Sequence, residues 1–171
     1  MALIKSVRGC TPKIAPSCYI ACNATIIGDV HIGPQSSVWF QAVIRGDVNT
    51  IRIGKKTNIQ DGVIIHCTYQ KTQTIIGNRV SIGHGAILHG CQVHDNALIG
   101  MRAIILDNAI IQAGALIAAG ATVLENTTVE AHCLYAGTPA KKIKKLSKTT
   151  QQSFASTPEN YVKYSQWYKN K

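Results

Sequence analysis

Among the 171 residues of this chain, the six histidines offer the clearest chemistry: His31, His66, His84, His89, His94 and His132. A neutral imidazole is a metal ligand, and a positioned one is a general acid or base. Taken singly, each is an ordinary surface or turn residue; function requires that some of them meet. Three imidazoles around one ion, with a fourth position open, make the arrangement of a catalytic zinc site. Water occupies the open position, and the metal draws its pKa down toward 7. The spacings on offer are 23 residues from His66 to His89, five from His84 to His89, and five from His89 to His94. Which of these brings rings together depends on the elements that carry them.

Those elements repeat, and a repeat decides a fold before any local propensity does. Branched apolar residues head successive six-residue units, many with Gly second and a small or β-branched residue fifth. Ile26, Ile32, Val38 and Ile44 head four units in a row. After three extra residues the frame resumes at Ile53, Ile59 and Ile65, and after five more at Ile76, Ile82 and Leu88. One residue is then dropped, and the frame runs unbroken from Val93 through Ile99, Ile105, Ile111, Ile117, Val123 and Val129 to Tyr135. Ile14 and Ile20 extend it upstream. Six residues make a short strand and a turn, with the head residue and the small residue four places on pointing inward. Glycine suits the turns because it tolerates unusual backbone angles. Three such strands close a triangular coil of about 18 residues, and coils stack at about 4.8 Å. No helix-period segment separates the strands, which excludes a βαβ arrangement. The expected fold is all-β: a left-handed parallel β-helix over residues 1–138. Composition agrees, since hydrophobic residues make up 46% of the chain and aromatics only 6%.

The register now sorts the histidines. His66 follows the head residue Ile65 and His89 follows the head residue Leu88. Their separation of 23 is one coil plus the five-residue insertion. They stand one above the other at strand spacing and can converge on one ion. His84 lies on the preceding face, around a corner, and reaches that ion only from a neighbouring protomer of a threefold assembly. His94 lies on the following face and is not read as a ligand. His31 and His132 have no stacked partner.

Residues 139–171 form a basic connector and a C-terminal helix. Thr157-Pro158-Glu159 reads as a helix start with Pro at the first helical position. Tyr161, Tyr164 and Tyr168 then give one aromatic face that packs on a β-helix flank, its own or a neighbour's. Residues 141–171 carry eight lysines against Glu159 alone, whereas residues 1–140 carry ten Lys and Arg against seven acids. The net charge of +10 therefore sits largely on the tail, with no basic stripe interleaved with stacking aromatics, which argues against nucleic acid. The start of the chain does not read as a secretory signal, and no apolar run approaches membrane-spanning length. The six cysteines include no C-x-x-C pair. They read as reduced thiols of a cytoplasmic protein, most of them small buried hydrophobes.

Four stretches resemble the gamma-class carbonic anhydrases: IRGDV at 44–48, NIQDGVIIH at 58–66, VSIGHGAILHG at 80–90 and LIGMRA at 98–103. The resemblance implies a homotrimer that interconverts carbon dioxide and bicarbonate by metal-bound hydroxide at the trimer interface. His66 and His89 of one protomer and His84 of the next would hold zinc, with iron or cobalt as other metals that suit three histidines. Arg45 and Asp47 would form an ion pair linking protomers. Gln60 would hydrogen-bond the hydroxide or position carbon dioxide, Asn58 would orient that network, and Tyr161 resembles a tyrosine that the C-terminal helix brings near the site. Two glutamates of the archetypal enzymes, associated with proton transfer, are missing. One position is Val48, and the loop CTYQKTQT at 67–74 has no carboxylate. The competing readings are an acyltransferase or thioesterase on the same fold, with a histidine as general base, and a non-catalytic trimer tied together by its metal.

Overall fold

Nearly every six-residue unit buries its head residue, and most bury the fifth with it. Ile26, Ile44, Ile65, Leu88, Ile105 and Val123 are wholly inaccessible on one face, and Ile59, Ile82, Ile99 and Ile117 on another. The fifth places, such as Ala86, Ala97, Ala103, Ala109 and Ala115, are buried with them. The computed structural model describes residues 1–169. It shows a left-handed parallel β-helix whose interior is this stack of like residues. The last two residues of the expected tail, 170–171, lie outside the described residues.

Three faces carry the strands. The first runs through Ile64–His66, Ile87–His89, Ile104–Ile105 and Thr122–Val123. The second runs through Thr74–Ile76, Gln92–Val93, Ile110–Ile111 and Thr128–Val129. The third begins at Tyr19–Ile20 and climbs through Ser37–Val38, Asn58–Ile59, Ser81–Ile82, Leu98–Ile99 and Leu116–Ile117 to Cys133–Ala136. The first two faces join into one twelve-stranded sheet because the strands Thr25–Ile32 and Val43–Ile53 pass from one to the other. The three extra residues are taken up inside the long strand Val43–Ile53, as an irregularity in its pairing with Thr25–Ile32 between Gly46 and Ile51, and form no separate loop.

The glycines at the second place differ from expectation. Gly33, Gly54, Gly77, Gly83 and Gly100 have ordinary backbone angles; the left-handed residue is at the fourth place, as at Lys56, Arg79, Gly85 and Arg102. The second place needs glycine because coils stack too closely there: a Cβ on Gly54 would meet the Gly77 carbonyl at 2.6 Å. The constraint is contact between coils, not conformational freedom.

The tail also holds more than a connector and one helix. Lys141–Lys145 is a strand, antiparallel to Cys133–Ala136, that extends the third face and leaves its lysines exposed. A first helix, α1 (Lys148–Ala155), precedes the expected one, α2 (Thr157–Lys169). Pro158 separates them: it lacks the N–H that would bond to the Phe154 carbonyl, and its ring clashes with that carbonyl. The tyrosine face of α2 packs on the chain's own flank. Tyr161 and Tyr168 each lie 5.4 Å from Trp39, ring centre to ring centre. Glu159 pairs with Lys56 at 3.1 Å and with Arg79, and Arg79 also donates to the Ala155 carbonyl at 3.0 Å.

All six cysteines are free thiols. Only Cys67, Cys91 and Cys133 are buried; Cys10 and Cys22 are exposed, so burial accounts for half of them and not most. Burial pushes the Cys67 thiol up to about 11, which leaves this neighbour of His66 unreactive. Among the described residues no helix is long and apolar enough to cross a membrane.

Candidate metal centre

The register on the first face places His66 beside His89 on neighbouring strands. Nδ1 of His66 lies 3.2 Å from Nε2 of His89. The outer nitrogen of each ring faces a carboxylate: Nε2 of His66 stands 3.2 Å from Asp47 Oδ1, and Nδ1 of His89 stands 2.7 Å from Asp107 Oδ1. Asp47, His66, His89 and Asp107 therefore form a ladder up one face, with the two ring nitrogens left free by the carboxylates turned toward each other. Two nitrogens bound tetrahedrally to one zinc at roughly 2.0–2.1 Å stand about 3.3 Å apart. The observed spacing and the all-nitrogen donor pair fit that requirement. Among the described residues no three His, Cys, Asp or Glu side chains of the single chain are placed to hold an ion.

Electrostatics favour the forms of His66 and of the two carboxylates that a ligand site needs. Burial, with the nearby Arg45 charge, lowers the pKa of His66 and outweighs the opposing pull of Asp47. Burial acts to raise the Asp47 carboxyl, but hydrogen bonding and charge from Arg45 hold it below its usual range. Asp107 is likewise held low against burial by hydrogen bonds from Thr68 and His89. The ring is thus neutral where it must offer a lone pair, and the carboxylates are ionised where they must accept.

His84 lies elsewhere, as its register requires. It follows the third-face strand Ser81–Ile82, and its Nδ1 pairs with Asp61 at 2.8 Å. Gln60 and Asn58 share that face. Gln60 Nε2 donates to Asn58 Oδ1 at 3.0 Å, and Asn58 Nδ2 donates to Ser81 Oγ at 2.8 Å. All three are buried. The chain of donors leaves Gln60 Oε1 as the free acceptor, with Asn58 and Ser81 holding its orientation. Tyr161 lines a cleft of about 290 Å³ on this side together with Asp61, Trp39 and Tyr164. Burial pushes its phenol up to about 12, so it is neutral there.

Arg45 donates to its own chain's Asp47 at 2.6 Å; in the single chain the pair is internal, and it also seats His66. His94 is exposed on the second face, and His132 is a left-handed turn residue. His31 sits in the strand Thr25–Ile32 near Asp29. Sequence reasoning missed Asp107, Asp61 and Ser81. Asp61 and Ser81 follow from the arithmetic that paired the histidines, 23 residues before His84 and 23 beyond Asn58; Asp107 does not, because the dropped residue sets Leu106 level with His89 and Asp107 level with Gly90.

Known proteins match this chain over most of its length. A family model described as bacterial transferase hexapeptide (six repeats) matches residues 90–125. A probable carbonic anhydrase of Methanocaldococcus jannaschii is 46% identical over 88% of this chain and 92% of its own length. A carbonic anhydrase of Geobacillus kaustophilus is 46% identical over 98% of this chain and 91% of its own. The mitochondrial gamma carbonic anhydrase 2 of Arabidopsis thaliana is 37% identical over 91% of this chain, which spans 58% of that longer protein. Among solved structures, a Bacillus cereus protein described as a candidate acetyltransferase superposes with a TM-score of 0.96 at 40% identity, covering 98% of this chain and 97% of its own. A hexapeptide transferase family protein from Anaplasma phagocytophilum gives 0.93 at 37% identity, covering 97% and 98%. With the hexapeptide solenoid, the stacked histidine pair and relatives of this similarity, the chain belongs to the gamma carbonic anhydrase family.

Proposed function

We propose that this protein is a metal-dependent carbonic anhydrase that acts as a homotrimer, with His66 and His89 of one protomer and His84 of the next holding the metal. The observation that carries the reading is the pair of ring nitrogens turned toward each other 3.2 Å apart, each ring seated by its own carboxylate. Beside that pair, Ile64, Ile87 and Ile104 stack outward in consecutive coils, and Ile64 is 43% exposed. An outward apolar ladder next to polar ligands is the surface of an interface. A neighbour docked there is what a third histidine from another face requires.

A zinc ion at such a site supplies Lewis acidity, making water ionise near neutral pH and so furnishing the nucleophile for carbon dioxide. The chain's own residues do the rest. Gln60 Oε1, fixed by Asn58 and Ser81, accepts a hydrogen bond from the nucleophile and aims its remaining lone pair. Tyr161, a neutral phenol among aromatic rings, keeps the cleft beside Asp61 apolar and excludes bulk water. Neither Val48 nor the loop at 67–74 supplies a carboxylate for proton export. Proton transfer to buffer therefore limits turnover, and the rate rises with buffer concentration.

Stopped-flow hydration of carbon dioxide, on protein loaded anaerobically with zinc, iron or cobalt, tests the reading. Metal-dependent turnover that rises with buffer is expected. About one ion per chain without turnover in any metal would leave a structural metal centre. Acyl transfer from an acyl-coenzyme A, independent of metal, would shift the assignment to the chemistry named for the Bacillus cereus neighbour.

A further inference from the structure

Of the two carboxylates that touch the histidine pair, Asp107 is the less exposed, at 18% against 21% for Asp47. It stands one coil above His89, and its two oxygens are both engaged. Oδ1 takes His89 Nδ1 at 2.7 Å and lies 3.3 Å from the Thr72 hydroxyl; Oδ2 accepts the Thr68 hydroxyl at 2.6 Å. Thr72 Oγ1 also accepts the Thr68 backbone N–H at 3.0 Å, tying the loop to itself. Both threonines belong to the loop after His66, the segment that departs from the six-residue frame. Gly90, next to His89, makes room: its backbone is left-handed at φ +59°, and a Cβ there would fall on the Asp107 carboxylate and the Thr72 hydroxyl.

We propose that Asp107 is the positioning residue that makes His89 a metal ligand, and that the loop at 67–74 serves to hold Asp107. A neutral imidazole carries one N–H. A carboxylate at Nδ1 keeps that hydrogen on Nδ1, which leaves the lone pair on Nε2, the nitrogen turned toward His66. Two hydroxyl donors fix the carboxylate plane, and that plane sets the ring angle. The loop that lacks the archetypal carboxylate thus contributes hydroxyls to a carboxylate from the coil above. This inference rests on the metal-site reading of His66 and His89.

The test is cobalt affinity by chelator competition, with the visible cobalt spectrum, on wild type, Asp107→Asn, the pair Thr68→Val with Thr72→Val, and His89→Ala. An amide can present N–H to Nδ1 and drive the ring hydrogen to Nε2, so Asp107→Asn should bind cobalt about 10–100-fold more weakly, with a shifted spectrum. The threonine variant keeps the carboxylate and should fall between it and wild type. Unchanged secondary structure and assembly in both variants separate positioning from folding; if Asp107→Asn does not fold, the threonine variant decides. Wild-type affinity and spectrum in the variants that fold would overturn the role of Asp107 while leaving the metal site standing. Cobalt binding that His89→Ala does not weaken would overturn the metal-site reading itself, and this inference with it.

Discussion

The His66–His89 half of the proposed site and the His84 half are built by different means. On the first face, stacking of coils inside one chain delivers two rings, two carboxylates and two threonines in mutual contact. On the third face His84 is 47% exposed and leans on one carboxylate, Asp61, that is itself 42% exposed. A β-helix brings together residues one coil apart with little effort, because parallel register holds them at strand spacing. It cannot bring residues from two faces together on the outside, because outward side chains diverge at every corner. A three-histidine centre on this fold therefore calls for a second chain, and the half that waits for it is the more exposed one.

The largest effects should come from the ligands. His89→Ala should abolish carbon dioxide hydration and lower metal affinity by more than the roughly 10–100-fold that loss of a supporting residue costs. His84→Ala should abolish hydration as well, yet retain weak binding at the preorganised pair. Metal titrations of the two variants check this; equal and complete loss in both would mean that the first half is not preorganised. Gln60→Ala comes next. It removes an acceptor without touching a ligand, so kcat/KM, which reports the hydration step and not proton export, should fall about 100–1,000-fold with metal content unchanged. A change in metal stoichiometry would instead make Gln60 a structural member of its half.

The smallest expected effect lies at the support of the third face. Hydrogen bonding from Lys56 and Arg79 holds the Glu159 carboxyl below its ordinary value. A depressed folded pKa gives stability that is present above the ordinary carboxylate range and lost as pH falls through the lower, folded value. Glu159→Gln should therefore loosen α2 by about 0.2–1 kcal/mol near neutrality, the worth of an exposed pair, and by nothing in strong acid. Urea unfolding followed by fluorescence, with Trp39 under α2 and Trp167 within it, reads the difference. An effect that persists in acid would mean that the ion pairs do not anchor the helix.

Much of the fold was legible because every coil repeats one packing problem, so Ile99, Ile105, Ile111 and Ile117 announce their own positions. The five-residue insertion even predicted that His66 and His89 stack. Helix α1 was not legible: KTTQQSFA has no apolar face and buries nothing, and only Ser147, which caps it by accepting the Thr150 N–H at 3.1 Å, marks its start. The strand Lys141–Lys145 was hidden for a related reason, since four lysines around Ile143 show no buried face. The reason for glycine at the second place was misread because sequence displays turn preference but not the distance between coils. In the site, the histidines stood out by type, whereas Asp61 is a common residue whose part emerges only when register is applied to every polar side chain, and Asp107 escapes even that, because the dropped residue sets it one place out of register with His89.

The central claim is that one functional centre is shared between two chains, and mixing two inactive variants tests it most directly. His84→Ala keeps an intact His66–His89 pair, and His89→Ala keeps an intact His84. If the two are unfolded together, refolded as mixed trimers and loaded with zinc, about one quarter of the interfaces should combine the two intact halves. The account predicts that carbon dioxide hydration returns to about that fraction of wild type. Mixed trimers that form, as shown by mass, but recover no hydration would contradict it.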